Sequence, residues 1–300
     1  MRTSIIKNMA RHYAGKIVCI FCFLLFTGFG SCREPEPSGS ESPPGYNLNK
    51  PTTKFVMDDA LHEISGIAFV KGNSDTMYAI EDENGKLFYF HPGDGKFASV
   101  KFGKRGDYED VAILPDREVV VLRSDGSLFA FPLSLSKDEM KGTVRDYEHI
   151  LPEGEYEGLF AAENGQLIAL CKNCPVDNQR ENVTVYTLQK DASGNWAVAS
   201  HFEIDVSQST PGGKHHKEKF HPSCLAHHPL THQWWIISSV NKILLVLDEK
   251  WKVTGTYSLD PLLFKQPEGI AFDSKGNLYI SNEGGDGSGN VLLFAYRQPN

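Results

Sequence analysis

No stretch of this 300-residue chain stays apolar for the roughly 20 residues that a transmembrane helix needs. Positive charge is also short: Lys and Arg number 30 against 38 Asp and Glu, a formal net charge of −8. The chain carries no basic stripe with interleaved aromatics, so a nucleic-acid backbone would be repelled rather than held. There is no Gly-x-Ser-x-Gly elbow and no His-Glu-x-x-His, which removes the serine-hydrolase and zinc-protease constellations. Cysteines are few, 6 in all, and Cys171-x-x-Cys174 lacks the βαβ surroundings of a thioredoxin-like redox centre.

What is present starts with a leader. Arg2, Lys7, Arg11 and Lys16 precede an apolar run from Ile17 to Phe29, and Gly30 and Ser31 stand before Cys32. This layout is that of a secretory signal peptide. It resembles a bacterial lipoprotein signal over residues 1–31, with Cys32 as the lipidated first residue; Phe29 takes the place of the usual aliphatic residue. Residues 32–50 are dense in Pro, Ser, Gly and Glu, a composition that builds no core, and read as a tether. Expected localisation is therefore the bacterial cell envelope, with a lipid anchor in a membrane, on the periplasmic or the surface face of the outer membrane.

The remainder, residues 51–298, is repetitive. Ile64-Ser65-Gly66-Ile67-Ala68, Tyr108-Glu109-Asp110-Val111-Ala112, Tyr156-Glu157-Gly158-Leu159-Phe160, Pro222-Ser223-Cys224-Leu225-Ala226 and Pro267-Glu268-Gly269-Ile270-Ala271 share one pattern. Their Ser/Glu positions are separated by 44, 48, 66 and 45 residues. Each is followed by further short β-branched and aromatic runs between Gly/Asn/Asp turns, the grammar of strands and hairpins. A unit of about 40–50 residues with several strands marks a β-propeller. The expectation is one all-β domain of five blades. Thr53–Met57 supplies the outer strand that the last unit lacks and so closes the ring, which removes exposed sheet edges. Six blades, with an irregular one inside the long third unit, is the runner-up.

The motif order, together with Gln266-Pro267-Glu268-Gly269-Ile270-Ala271 and Gly276-Asn277-Leu278-Tyr279-Ile280 in the closing unit, resembles the SdiA-regulated family, distant relatives of NHL-repeat propellers. The resemblance implies a five-bladed propeller with a bound calcium and no established enzyme activity. Cys224 departs from it, standing where the motif has Gly.

The repeat brings one register position per blade to the axis, and Glu109, Glu157 and Glu268 hold three of the five. Two residues earlier on the same strand face stand Glu63, Asp107, Glu155, His221 and Gln266. Carboxylates this crowded must take up protons, a cation or amide donors. Calcium, which accepts six to eight oxygens in loose geometry, suits such a ring. The candidate ligands are Glu109, Glu157, Glu268 and Glu63, with Ser65 and Ser223 adding hydroxyls or holding a water. The competing reading has the glutamates accepting backbone N–H bonds from the next blade and locking the ring.

Other clusters carry weaker signals. The Gly-rich loop 282–290, Glu283 and Asp286 included, reads as a second calcium site or as a flexible hairpin loop, and its lack of EF-hand spacing favours the hairpin. Glu81, Asp82 and Glu83 read either as mouth residues or as a solvated turn. His215, His216, His221, His227, His228 and His232 lie near Cys224 without zinc-site spacing. Cys171 and Cys174 are placed for a disulfide, or one of them could pair with Cys224. Two functions are compatible with these features. One is a monomeric, non-enzymatic envelope platform with calcium at its channel and a protein or glycan ligand on its rim. The other is a calcium-assisted hydrolase, lactonase- or phytase/esterase-like, with Asp107, Glu155 or His221 as base.

Overall fold

The computed structural model describes residues 41–133, 143–209 and 218–299. The expected leader, Cys32, the first part of the tether, His215 and His216 lie outside the described residues.

Five antiparallel four-stranded sheets follow one another along the chain. A short strand, β1 (Thr53–Val56), comes first. Blade 1 is β2 (Ile64–Val70), β3 (Asn73–Glu81), β4 (Lys86–Phe90) and β5 (Ala98–Lys101). Blade 2 is β6 (Tyr108–Ile113), β7 (Glu118–Arg123), β8 (Leu128–Pro132) and β9 (Arg145–Tyr147). Blade 3 is β10 (Glu155–Ala161), β11 (Leu167–Asn173), β12 (Asn182–Lys190) and β13 (Trp196–Asp205). Blade 4 is β14 (Cys224–His227), β15 (Trp234–Ser238), β16 (Ile243–Leu247) and β17 (Val253–Ser258). Blade 5 is β18 (Pro267–Phe272), β19 (Leu278–Asn282) and β20 (Asn290–Phe294), and its outer strand is β1, paired from Thr53↔Leu293 to Val56↔Asn290. The two ends of the domain thus close the ring. The third unit forms a single sheet; its extra length lies in the long β12–β13 hairpin and in the connections on either side of it.

Both faces of each inner sheet region are buried, which is why strands such as β7 read as unbroken apolar runs. Val119 and Val121 face the core between blades 1 and 2, while Val120 and Leu122 face the core between blades 2 and 3. Alternate side chains of one strand thus serve two cores. Further cores join blades 3 and 4, 4 and 5, and 5 and 1, so every blade is bonded to both neighbours.

The tether ends earlier than its composition suggests. Leu48 is 1 % exposed in the core between blades 4 and 5. Tyr46 donates from its hydroxyl to the Gly276 carbonyl (2.5 Å), bonds His228 Nε2 (2.7 Å), and packs its ring edge-on against Trp235. Residues 43–50 are therefore a strap on the propeller: two large side chains in a polar run find an apolar groove made by distant segments.

Candidate functional site

In four of the five blades the inner strand starts with a β-bulge; blade 4 pairs in straight register from Cys224. The register slips between Tyr108 and Asp110, between Tyr156 and Gly158, and between Pro267 and Gly269, and again within Ile64–Ile67. The extra residue is Glu109, Glu157 or Glu268 in the first three. A bulge re-aims its side chain off the strand face, and here it places these glutamates around one mouth of the channel.

The glycine after the bulge has its own reason. A Cβ on Gly269 would lie 2.3 Å from Ser281 Oγ and 2.4 Å from the Ser65 carbonyl oxygen. Inner strands of adjacent blades approach too closely there for a side chain. Blade 2 uses the same register position differently. Asp110, 4 % exposed, accepts from Val111 N (2.8 Å) and from Leu159 N of blade 3 (2.7 Å). The backbone locking considered for the glutamates is done by the residue beside one of them. At the closure of the ring Ser281 Oγ donates to the Ser65 carbonyl (2.7 Å). Ser65 itself is buried, and Cys224 is a buried free thiol.

A second ring of side chains surrounds the bulge ring. It comes from the ends of the second strands: Asp82, Ser124, Lys172, Ser239 and Glu283, each following the partner of the residue before the bulge or its equivalent in blade 4. The two rings interlock. Lys172 Nζ pairs with Glu157, whose side chain is 8 % exposed. Glu268 is hydrogen-bonded to the Ser239 and Ser223 side chains, and Ser223 Oγ also accepts from Ser239 N (3.2 Å). In three blades the residue two before the bulge position faces the second ring of its own blade: Glu63 lies against Asp82, Ser124 Oγ donates to Asp107 (2.5 Å), and Gln266 Nε2 donates to Glu283 (2.7 Å). His221 holds blade 4 through its backbone N–H to Asn241 Oδ1 (3.1 Å), and its imidazole pKa is lowered by burial and by Lys172 and Lys219.

Electrostatics divide the mouth in two. On one side Glu109 and Glu157 bond each other, and burial with mutual repulsion raises the Glu109 pKa strongly. Burial raises Glu157 too, against the pull of Lys172. Burial also opposes the Lys172 ammonium, but Glu157, Glu109 and Glu268 outweigh it and its pKa rises. This side carries its own cation.

On the other side no lysine or arginine among the described residues pairs with Asp82 or Glu283. Burial and the charges of Glu63 and Glu81 push Asp82 up to about 7. Burial and the charges of Glu268, Asp82 and Glu63 push Glu283 up to about 8. Asp82 Oδ1 is buried and has no hydrogen-bond partner. Glu81, by contrast, is used locally: its carboxylate accepts from Glu83 N (3.0 Å) and Asn84 N (2.7 Å) to hold a turn. Glu83 pairs with Arg105 at the surface.

Of the sequence-derived candidates, Glu63 joins Asp82 and Glu283, Glu109 and Glu157 lie with Lys172, and Glu268 stands between the two sides, feeling both Lys172 and Lys242 while its charge also acts on Glu283. Ser65 is tied through its carbonyl, and Ser223 supports Glu268. Among the described residues, three potential ligand atoms lie within 4.8 Å of one another only at Cys171, Cys174 and Asp177. There the cysteines form a disulfide, and Asp177 accepts from Thr184 N (3.1 Å) and Thr184 Oγ1 (2.5 Å). Of the described histidines, His227, His228 and His232 share one turn away from the mouth: His228 accepts from Leu230 N and Thr231 N to hold that turn beneath Tyr46, and His227 packs on Trp234 and near His232 (ring centroids 5.8 Å apart). Lys172 and Asp110 carry no site signal in the sequence, and Glu283 enters there only as a member of the Gly-rich loop 282–290. The pairing register of the second strands is the signal that locates Lys172 and Glu283.

The family model described as SdiA-regulated matches residues 42–285. None of the curated proteins matches the chain. Among solved structures, the PQQ-bound aldose sugar dehydrogenase of Streptomyces coelicolor is similar, with a TM-score of 0.54 and 10 % identity over 83 % of this chain and 98 % of that one. Myxococcus xanthus glutaminyl cyclase also gives 0.54, with 12 % identity over 84 % and 97 %. The luciferin-regenerating enzyme gives 0.51, with 10 % identity over 82 % and 95 %. Likeness at such identities reports a shared fold and nothing about the chemistry of the mouth.

Proposed function

The chain belongs to the SdiA-regulated family, and we propose that it is a lipid-anchored envelope propeller that holds calcium at its channel mouth and presents the surrounding loops to a protein or glycan. The observation that carries the calcium reading is the orphaned, buried Asp82 Oδ1 near Glu63 and Glu283, with Glu268 next along the ring beside Glu283. A buried acceptor without a donor costs about 1–3 kcal/mol, more when charged. The donor set is all hard oxygen, which suits calcium and not a thiophilic metal. When bound, the ion supplies the charge that lets these carboxyls ionise together.

The chain's own residues do the rest. The bulge at Glu268 turns its carboxylate to the axis, and Ser223 and Ser239 fix its orientation. Gln266 orients Glu283. Asp82, pushed up to about 7 by burial and by the charge of Glu63, must give up its proton to the ion's charge, so affinity rises with pH. The carboxylates have to draw inward by side-chain rotation, which the long glutamates permit. Membrane anchoring rests on the leader and Cys32, and holds the domain in the envelope by a short tether.

Thermal melting in EGTA and in calcium tests the site. At a hundred times the dissociation constant, binding adds about 2.7 kcal/mol, or roughly 5–10 °C in Tm for a domain of this size. Asp82→Asn/Glu283→Gln is expected to lose the shift, and Glu157→Gln to keep it. A wild type that ignores calcium, or a shift lost only in Glu157→Gln, overturns the assignment.

A further inference from the structure

Lys172 is held more firmly than a lysine in an ordinary ion pair. It lies between Cys171 and Cys174, and the disulfide closes across it. Both cysteines are buried, at 0 % and 3 % exposure, in the core between blades 2 and 3, together with Tyr156 and Leu151. Gln179, 3 % exposed, donates from Nε2 to the Lys172 carbonyl (3.1 Å) and to Asn173 Oδ1 (2.7 Å). Gly154, at the entry to β10, lies so close that a Cβ there would sit 2.7 Å from Cys174 Sγ. The disulfide is therefore wedged between the strand that carries Lys172 and the segment that leads to Glu157.

This arrangement fixes the backbone of Lys172 and leaves only its side-chain torsions free. A lysine carries about 2 kcal/mol of rotamer entropy, which is why exposed pairs contribute little. Here the partner carboxylate is buried, the lysine side chain is only 31 % exposed, and the stem is aimed by the main chain. The ammonium sits among Glu157, Glu109 and Glu268, the place where a cation from solvent would otherwise be drawn.

We propose that the Cys171–Cys174 disulfide is a clamp that keeps Lys172 on Glu157 as a tethered cation. The state of the cysteine pair then decides whether the Glu109–Glu157 side of the mouth is filled from within or open to a divalent ion. Opening the clamp takes two electrons and two protons from an external dithiol, which becomes a disulfide while Cys171 and Cys174 become thiols. No other bond changes. The freed segment, Lys172–Cys174, ends β11 and leads into a loop, so it can relax without disturbing the inner strands. The inference deepens the reading of the mouth as a cation site, and borrows from it the choice of calcium as probe.

The test uses the whole protein in four forms: oxidised, reduced with dithiothreitol, Cys171→Ala/Cys174→Ala, and Lys172→Met. Two quantities are read. One is the acetylation rate of Lys172 by peptide mapping, with Lys190, paired to Glu118 at the opposite end of blades 2 and 3 (2.8 Å), as internal control. The other is calcium bound per chain by equilibrium dialysis. Opening the disulfide is expected to speed acetylation of Lys172 at least about tenfold and leave Lys190 unchanged. Lys172→Met is expected to bind one more calcium than the oxidised wild type. Equal acetylation of Lys172 with the disulfide open and closed overturns the clamp. If Lys190 is also exposed in the double-alanine form, that form has lost its fold, and Lys172→Met, with its disulfide intact, decides. Equal calcium in Lys172→Met and wild type overturns the tethered cation. A wild type that binds none while Lys172→Met binds one supports the tethered cation and refutes the Asp82–Glu283 site; one ion in each does the reverse.

Discussion

Replacing Asp110 by Ala should loosen the ring without touching calcium. The carboxylate accepts from Val111 N and, across the blade boundary, from Leu159 N. Its removal strands two buried N–H groups, each at a cost of about 1–3 kcal/mol. Part of this is offset, because burial raises the Asp110 pKa and the wild type already bears the cost of a buried acid. A net loss of about 3 kcal/mol follows, roughly 6–12 °C in Tm for a domain of this size. Asn keeps one acceptor but turns its NH2 against the other N–H, so it should recover less than half. The assay is thermal unfolding by circular dichroism, in EGTA and in calcium, with hydrogen exchange at the Leu159 amide. The loss should be the same in both buffers, and exchange at Leu159 should quicken. A Tm within about 2 °C of wild type, or a loss seen only with calcium, would refute Asp110 as the latch between blades 2 and 3.

Three further outcomes are expected. In EGTA, Tm should fall as pH rises from about 5 to 8.5. Asp82 and Glu283 have folded values raised to about 7 and about 8, so the folded state holds more protons than the unfolded chain above its ordinary carboxyl range. Stability is lost across that window and calcium should reverse the slope; a pH-independent Tm in EGTA would contradict the raised values. Gly269→Ala should unfold the junction of blades 5 and 1, because the new methyl meets the Ser65 carbonyl, a backbone atom that cannot swing away; soluble expression at the wild-type level would show the close approach to be unnecessary. Cys32→Ser should abolish incorporation of labelled palmitate and release the protein from membranes, whereas continued labelling would remove Cys32 as the anchor.

The blades were legible because each strand serves two cores, which leaves unbroken apolar runs such as Val119–Leu122 between turn clusters. Ring closure by Thr53–Val56 followed from the missing outer strand of the last unit. The glutamates at the axis were legible from the repeat, but their partners were not. Lys172 is hidden inside Cys-x-x-Cys, a pattern that points to sulfur chemistry, and only the register of the second strands makes it the counterpart of Asp82 and Glu283 in their own blades. Asp110 looks in the sequence like an ordinary member of the motif, although it makes the backbone bonds expected of the glutamates. A bulge decides which of two adjacent acids faces the axis and which faces the next blade, and no spacing shows it. Tyr46 and Leu48 looked like tether because their groove, lined by Trp235, Phe272 and Tyr296, is assembled from residues far along the chain.

The direct test of the central claim is a crystal of the protein grown with calcium and measured for anomalous scattering. The account predicts an anomalous peak bounded by Glu63, Asp82, Glu283 and Glu268, with Lys172 still on Glu157. A peak held by Glu109 and Glu157 with Lys172 displaced, or no peak at the mouth at saturating calcium, would contradict it.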